Sequence, residues 1–260
     1  MDFIGSHILS IDQFQRADID HIFSVARMME PYAHRHQVTK VLDGAILGNM
    51  FFEPSTRTRV SFGCAFNLLG GEVRETTGFE NSALAKGESL YDTARVLSGY
   101  NDVIAMRHPA KGSVAEFASA SRVPVINGGD GANEHPTQAL LDLYTIEKEL
   151  KSSGRSLDGL RIGMIGDLKH GRTVHSLAKL LCCYKNINLQ LVSPDALQMP
   201  GELVELLRST GHQVTISDNL ASSIAHVDIV YSTRIQEAVS YTHLRAHETG
   251  RNLVCRLLLE

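Results

Sequence analysis

The chain has 260 residues, room for one large domain or two of ordinary size. Its 25 Lys plus Arg against 29 Asp plus Glu give a formal net charge of −4, which argues against a general nucleic-acid binder but allows local basic patches. No apolar run reaches the roughly 18 residues that a membrane-spanning helix needs, and Met1–Ser10 has neither the positive start nor the long apolar centre of a secretory signal.

Ser10 is followed by Ile11, Phe14, Ile19, Ile22, Phe23 and Val25, a recurrence that predicts a helix stopped by Pro31. From there short apolar runs alternate with longer amphipathic stretches. The runs are Ala45–Phe52, Val103–Met106, Val123–Ile126, Arg161–Ile165, Leu189–Val192 and Asp228–Tyr231. Helices are predicted between them near Val60–Leu69, Ser89–Ser98, Thr137–Leu150, Val174–Cys182 and Leu203–Leu207. Such alternation implies an α/β protein, its parallel sheets covered by helices. Ser-Ser-Gly-Arg-Ser within Lys151–Gly159 breaks a helix before a new strand, which places a hinge there and divides the chain into 1–150 and 151–239. After Val239 the sequence leaves this rhythm, so 240–260 reads as a separate tail. The four cysteines, Cys64, Cys182, Cys183 and Cys255, fit no zinc spacing, and buried, reduced thiols in a cytoplasmic protein are the plain reading.

Phe51-Phe52-Glu53-Pro54-Ser55-Thr56-Arg57-Thr58-Arg59 is the most informative segment. A strand ends, Pro54 turns the chain, and Ser55 is a good N-cap for a helix whose first turn carries Arg57 and Arg59. Cations there oppose the helix dipole by roughly 0.3–1 kcal/mol each. An anion would reverse that sign, drawing on open backbone N–H groups, hydroxyls and an arginine. The alternative is a solvated helix start whose arginines pair with nearby carboxylates.

Gly128-Gly129-Asp130-Gly131-Ala132-Asn133-Glu134-His135-Pro136-Thr137-Gln138 follows a strand and opens a helix, at the sheet end where open α/β proteins bind ligands. Pro136 suits the first helical position. His135 just before it is disfavoured from protonating, which suits a neutral imidazole that donates to a carbonyl oxygen; taken alone, an ordinary capping histidine is the plainer reading. Arg107, at the end of the run closing on Met106, either lines the same crevice or is a surface residue. Ile165-Gly166-Asp167-Leu168-Lys169-His170-Gly171-Arg172-Thr173 resembles a dinucleotide-binding turn but lacks Gly-x-Gly-x-x-Gly, so an anion site built on Arg172 is the better reading. Glu80–Glu88 alone reads as a mobile surface loop. Arg57, Arg107, Arg172 and Arg234 thus all follow strands, in loops expected to face one crevice, with neither a nucleophile–base pair nor a metal cluster. Such a site would bind a polyanionic substrate and work by positioning and electrostatics.

Ser55-Thr56-Arg57-Thr58-Arg59, His135-Pro136-Thr137-Gln138, Gly166-Asp167-Leu168-Lys169-His170-Gly171-Arg172-Thr173-Val174-His175-Ser176 and Thr233-Arg234-Ile235-Gln236 occur in that order, and the ordered set resembles the aspartate carbamoyltransferase family. The likeness runs from about Ile8 to Gln236. It implies two α/β domains, each a parallel sheet flanked by helices: residues 1–150 for carbamoyl phosphate and 151–239, incomplete, for L-aspartate. It further implies transfer of the carbamoyl group to the aspartate amine, giving N-carbamoyl-L-aspartate and phosphate for pyrimidine synthesis. No cofactor or metal is expected. The assembly implied is a homotrimer with active sites shared between neighbours, which admits regulatory chains as further partners; no nucleic-acid or membrane partner is expected.

By the same resemblance, Ser55, Thr56, Arg57 and Thr58 form the phosphate cradle. Arg107, His135 and Thr58 polarise the carbamoyl carbonyl, and Gln138 holds its amide. Ser82 and Lys86 belong to a loop inserted into the neighbouring subunit's site, which overrides the surface-loop reading. Arg172 and Arg234 clamp the aspartate carboxylates, with Gln236 beside them. Arg57, Thr58, Lys86, Arg107 and His135 are then the catalytic set.

The family pattern continues past Thr-Arg-Ile-Gln with a further strand, a His-Pro-Leu/Met-Pro-Arg loop and closing helices, and residues from about Ser240 match none of it. They read as translated adaptor or read-through sequence at a truncated gene end, which would leave an unpaired strand edge and an inactive fragment. The rival readings are an ornithine-type or other carbamoyltransferase and a non-catalytic carbamoyl phosphate-binding remnant. Arg172 and Arg234 favour aspartate over a cationic amino acid.

Overall fold

The computed structural model describes residues 1–76, 87–131 and 133–233. Proximity along the backbone divides the chain into two compact units, Met1–Thr137 and Gln138–Glu260. No helix among the described residues is long and apolar enough to cross a membrane.

In the first unit, α1 (Arg16–Ala33) precedes β1 (Ile46–Phe51), α2 (Thr56–Leu68), β2 (Glu72–Thr76), α3 (Leu90–Leu97), β3 (Val103–His108), α4 (Ser113–Ala120) and β4 (Val125–Asp130). The four strands form one parallel sheet in the order β2-β1-β3-β4. Sequence order reverses between β1 and β3, and that switch point is where an open α/β sheet leaves a crevice beyond its strand ends. A core of Met50, Ile104, Met106, Val114, Phe117 and Val125 locks α3 and α4 to the sheet. Each such fully buried large side chain contributes about 1.5–3 kcal/mol. These residues fix where the strand ends lie.

Helix α5 (Pro136–Ser152) begins at the boundary and continues into the second unit. There follow β5 (Arg161–Ile165), α6 (Arg172–Leu181), β6 (Asn188–Val192), α7 (Gly201–Ser209), β7 (Gln213–Ser217), α8 (Leu220–Ile224) and β8 (Ile229–Ser232). This sheet is also parallel, in the order β7-β6-β5-β8, so its switch point falls between β5 and β8. Two parallel four-stranded sheets with helices between the strands are the α/β class expected from the alternation.

Four expectations need correction. Pro31 does not stop α1, which runs on to Ala33; in the last turn the absent N–H costs a single ladder bond, and His34 N–H still donates to the Glu30 carbonyl at 2.9 Å. Ser10 caps a short 3-10 turn at Ile11–Gln13, and α1 starts only at Arg16. Gly128, Gly129 and Asp130 belong to β4, because pairing to β3 carries the strand on past a bulge until Asp130 lies opposite His108. The described cysteines are not buried: Cys64 is exposed on α2, while Cys182 and Cys183 are partly covered at the end of α6, and Cys255 lies outside the described residues.

Candidate active site

Three neighbouring strands of the first sheet deliver the predicted residues to one end. β1 and β3 run side by side with Phe51 opposite Arg107, and Phe52 N–H donates to the Arg107 carbonyl at 2.9 Å. β4 lies on the other side of β3 and leads through Gly131 to His135. Arg107 ties these ends together. Its Nε donates to Glu53 Oε1 at 2.6 Å and its Nη1 to the Gly128 carbonyl at 3.2 Å, with the side chain only 13% exposed. A guanidinium fixed on two sides keeps its orientation without reorganising when charge develops before it.

Beyond β1, Ser55 holds the N-cap position of α2, yet its hydroxyl makes no cap bond and the first turn carries no acid. The first intrahelical bond runs from Arg59 N–H to the Ser55 carbonyl at 3.3 Å, so the preceding amides have no partner in the helix ladder. Thr56 and Arg57 are exposed, while Ser55 and Thr58 are partly covered. Arg59 belongs elsewhere. Its Nη1 meets Glu75 Oε2 at 3.3 Å, and buried Asn49 donates both to the Arg59 carbonyl and to Glu75 Oε1. Of the two cations in this turn, Arg59 therefore follows the carboxylate-pairing reading.

The turn after β4 is held by its own acids. Asp130 Oδ1 accepts from Glu134 N–H at 3.0 Å, and its Oδ2 accepts from Gly112 N–H and Asn133 Nδ2, both at 3.0 Å. Glu134 reaches back to Ile11 N–H at 3.2 Å. Gly131 has φ of +58° and passes so close to Pro109 that a Cβ would lie 2.5 Å from its carbonyl oxygen. His135 emerges from this frame 4% exposed, immediately before Pro136 opens α5, with Nδ1 3.4 Å from the Thr137 hydroxyl.

In the second unit, Gly166 follows β5 with φ of +113°, and a Cβ there would sit 2.3 Å from the Thr233 carbonyl oxygen. Thr233 N–H donates to Ile165 at 2.8 Å, so the ends of β5 and β8 are stitched together at the switch point. Asp167, fully buried, accepts from His170 N–H at 3.0 Å and meets His170 Nδ1 at 3.1 Å. His175 Nε2 lies 2.7 Å from the Leu168 carbonyl, a contact that requires a proton on Nε2. Burial lowers the pKa of this imidazole, partly countered by that hydrogen bond and by Asp167. Arg172 opens α6 from this braced turn, partly covered. Gln138, on the first turn of α5, donates through Nε2 to Asp142 Oδ1 at 2.9 Å.

Ser55, Thr56, Arg57, Thr58, Arg107 and His135 thus gather at the carboxyl ends of three adjacent strands of the first sheet. Ser82, Lys86, Arg234 and Gln236 lie outside the described residues, as does the stretch from Ser240 onward. Sequence reasoning missed Glu53, Asp130, Glu134 and Asp167, the carboxylates that orient the site. The available signal was an acid beside a strand end or a glycine turn, where an unpaired carboxylate would be costly to bury.

The family model for "Aspartate/ornithine carbamoyltransferase, carbamoyl-P binding domain" matches residues 6–148, and that for the "Asp/Orn binding domain" matches 158–248, past Ser240. The chain is 78% identical over 237 residues to an aspartate carbamoyltransferase catalytic subunit of Saccharophagus degradans, covering 91% of this chain and 70% of that one. It is 75% identical to that of Cellvibrio japonicus with the same coverage. Among solved structures, the M. jannaschii catalytic subunit superposes with a TM-score of 0.83 at 44% identity, covering 90% of this chain and 75% of that chain. The Trypanosoma cruzi aspartate transcarbamoylase in complex with carbamoyl phosphate and aspartate gives 0.83 at 43%, covering 90% and 73%. Matches spanning both units, at this identity, settle the relationship: the chain belongs to the aspartate/ornithine carbamoyltransferase family.

Proposed function

We propose that the chain transfers the carbamoyl group of carbamoyl phosphate to the amine of L-aspartate, releasing N-carbamoyl-L-aspartate and phosphate for pyrimidine synthesis. The observation that carries this reading is the fixed Arg107 guanidinium at three strand ends, beside a helix start that offers uncapped amides and an exposed Arg57. Phosphate sits on Ser55, Thr56, Arg57 and Thr58, where a dianion turns an unfavourable helix dipole into a favourable one. The carbamoyl oxygen meets Arg107, His135 and Thr58, and its amide meets Gln138. Arg172 and Arg234, with Gln236, hold the aspartate carboxylates.

The uncharged amine attacks the carbamoyl carbon and a C–N bond forms. Charge rises on the carbonyl oxygen, where Arg107, already oriented by Glu53, stabilises it. The C–O bond to phosphate then breaks, the leaving group carrying its electron pair into the Arg57 cradle while the proton of the amine passes to a phosphate oxygen. Residues 1–150 serve as the carbamoyl phosphate domain and 151–239 as the aspartate domain, a division supported by the descriptions of the two matched families.

The working unit is a homotrimer in the cytoplasm, open to regulatory chains, with Ser82 and Lys86 completing a neighbour's site. Exposed Val60, Tyr91, Val96 and Tyr100 on the first unit support a covered face of this kind. Phosphate release from carbamoyl phosphate, followed with L-aspartate or L-ornithine as acceptor, tests the reaction. Release with aspartate alone supports it; preference for ornithine, or binding of carbamoyl phosphate without turnover, contradicts it.

A further inference from the structure

Gln138, Asp142 and Tyr231 form a hydrogen-bonded chain inside the second unit. Gln138 Nε2 donates to Asp142 Oδ1 at 2.9 Å, and the Tyr231 hydroxyl donates to Asp142 Oδ2 at 2.8 Å. Gln138 and Asp142 stand four residues apart on α5, so they face each other across one helical turn. Tyr231 comes from β8, three residues before Arg234 in sequence. Asp142 is 6% exposed and Tyr231 8%. Burial raises the carboxyl's pKa, and the hydrogen bonds from Tyr231 and Gln138, both donated to its oxygens, offset part of that rise.

A glutamine amide has two nearly isosteric orientations, one with nitrogen and one with oxygen toward a given neighbour. An ionised carboxylate only accepts, so beside Asp142 the nitrogen must face the acid and Oε1 is left for another partner. The NH2 of a carbamoyl group offers donors, and only the Oε1-outward amide can receive them.

We propose that Asp142 is a positioning residue that fixes the Gln138 amide with its oxygen outward, so that the site prefers a carbamoyl NH2 to an isosteric methyl. Tyr231 occupies the second oxygen of Asp142 and keeps the carboxylate from turning away. The proposal rests on Gln138 being the group that receives the carbamoyl amide, and the test separates the two ideas.

The experiment is calorimetric titration of carbamoyl phosphate and of acetyl phosphate, which carries a methyl in place of the amine, into the wild-type chain and three variants. The quantity read is the ratio of the two dissociation constants, which partial unfolding does not alter because it lowers stoichiometry instead. Gln138→Ala is expected to cut the carbamoyl preference about three- to tenfold, the worth of one hydrogen bond. Asp142→Leu, which fills the volume of the acid, is expected to cut it equally, and the double variant no further. If Gln138→Ala lowers the preference while Asp142→Leu keeps it, the inference is overturned and the reading of Gln138 stands. Additive losses in the double variant also overturn it. An unchanged preference in Gln138→Ala overturns the reading of Gln138 and the inference with it.

Discussion

Helices α2 and α6 hold equivalent places, each following the first strand of its sheet at the switch point, yet the two turns are built in opposite ways. The β1–α2 turn is open: Ser55 makes no cap bond, the first helical turn carries no acid, and Gly63 is the one buried residue of α2. The β5–α6 turn is closed on itself by Asp167, by His175 on the Leu168 carbonyl and by Gly166 pressed against Thr233. Helix α6 buries Val174, Leu177, Ala178, Leu180 and Leu181. One turn leaves its first amides outside the helix ladder, as the dianion site proposed there requires. The other is a rigid mount that carries Arg172 at the start of α6. The same topology thus yields two different helix starts, which suit the two ligands proposed for them.

The largest effect should come from the open turn. Arg57→Ala is expected to lower kcat/KM by about 10²–10³ while the far-ultraviolet circular dichroism stays native, because the lost donor acts on charge in the transition state. Wild-type rates in that variant would erase the contrast between the turns. In the closed turn the expected damage falls on folding. Gly166→Ala forces a Cβ to within 2.3 Å of the Thr233 carbonyl oxygen at a φ of +113°, and about 3 kcal/mol or more should be lost in a denaturant midpoint series. A stable Gly166→Ala protein would show that this turn is not rigid.

Glu53→Ala sharpens the comparison from the side. It frees Arg107 on one flank, and about a tenfold fall in kcat is expected together with a stability loss of about 1.5–3 kcal/mol, the worth of a charged hydrogen bond of this kind. The smallest effect is a matter of pH. Asp228 on the approach to β8 has a side chain 2% exposed, and it accepts from Arg161 N–H at 2.9 Å, from Arg161 Nε at 3.0 Å and from the Arg155 guanidinium. Burial alone would raise its carboxyl, but the arginines overcome this and hold it at about 2. A carboxyl depressed in the folded state stabilises above its unfolded value of about 3.9 and loses that contribution as pH falls toward 2. About 1–2 kcal/mol should go over that window, allowing for solvent screening of the half-exposed arginines, and Asp228→Asn should flatten the loss in acid unfolding curves.

The legible parts of the molecule were those whose chemistry is local. Central strands β1, β3, β5 and β6 announced themselves as apolar runs because both of their faces are covered. The strands missed were β2 (Glu-Val-Arg-Glu-Thr) and β7 (Gln-Val-Thr-Ile-Ser), which lie at sheet edges half in solvent and carry only a faint alternation. Short α4 went unread because Ser-Val-Ala-Glu-Phe-Ala-Ser-Ala starts from a left-handed glycine without a capping side chain, and α8, of five residues, spans little more than one turn. In the site, the cations stood out through their position after strands. The acids that aim them did not: Glu53 reaches Arg107 from 54 positions away, and Tyr231 reaches Asp142 from 89, pairings that only the sheet order creates.

The division of labour between the two turns is tested most directly by titrating carbamoyl phosphate alone into the wild-type, Arg57→Ala and Arg172→Ala chains in a calorimeter at one fixed salt concentration. Binding that disappears in Arg57→Ala and stays at the wild-type dissociation constant in Arg172→Ala is the predicted result. Equal binding in Arg57→Ala and wild type, or loss in Arg172→Ala, would contradict the assignment of the phosphate to the open helix start.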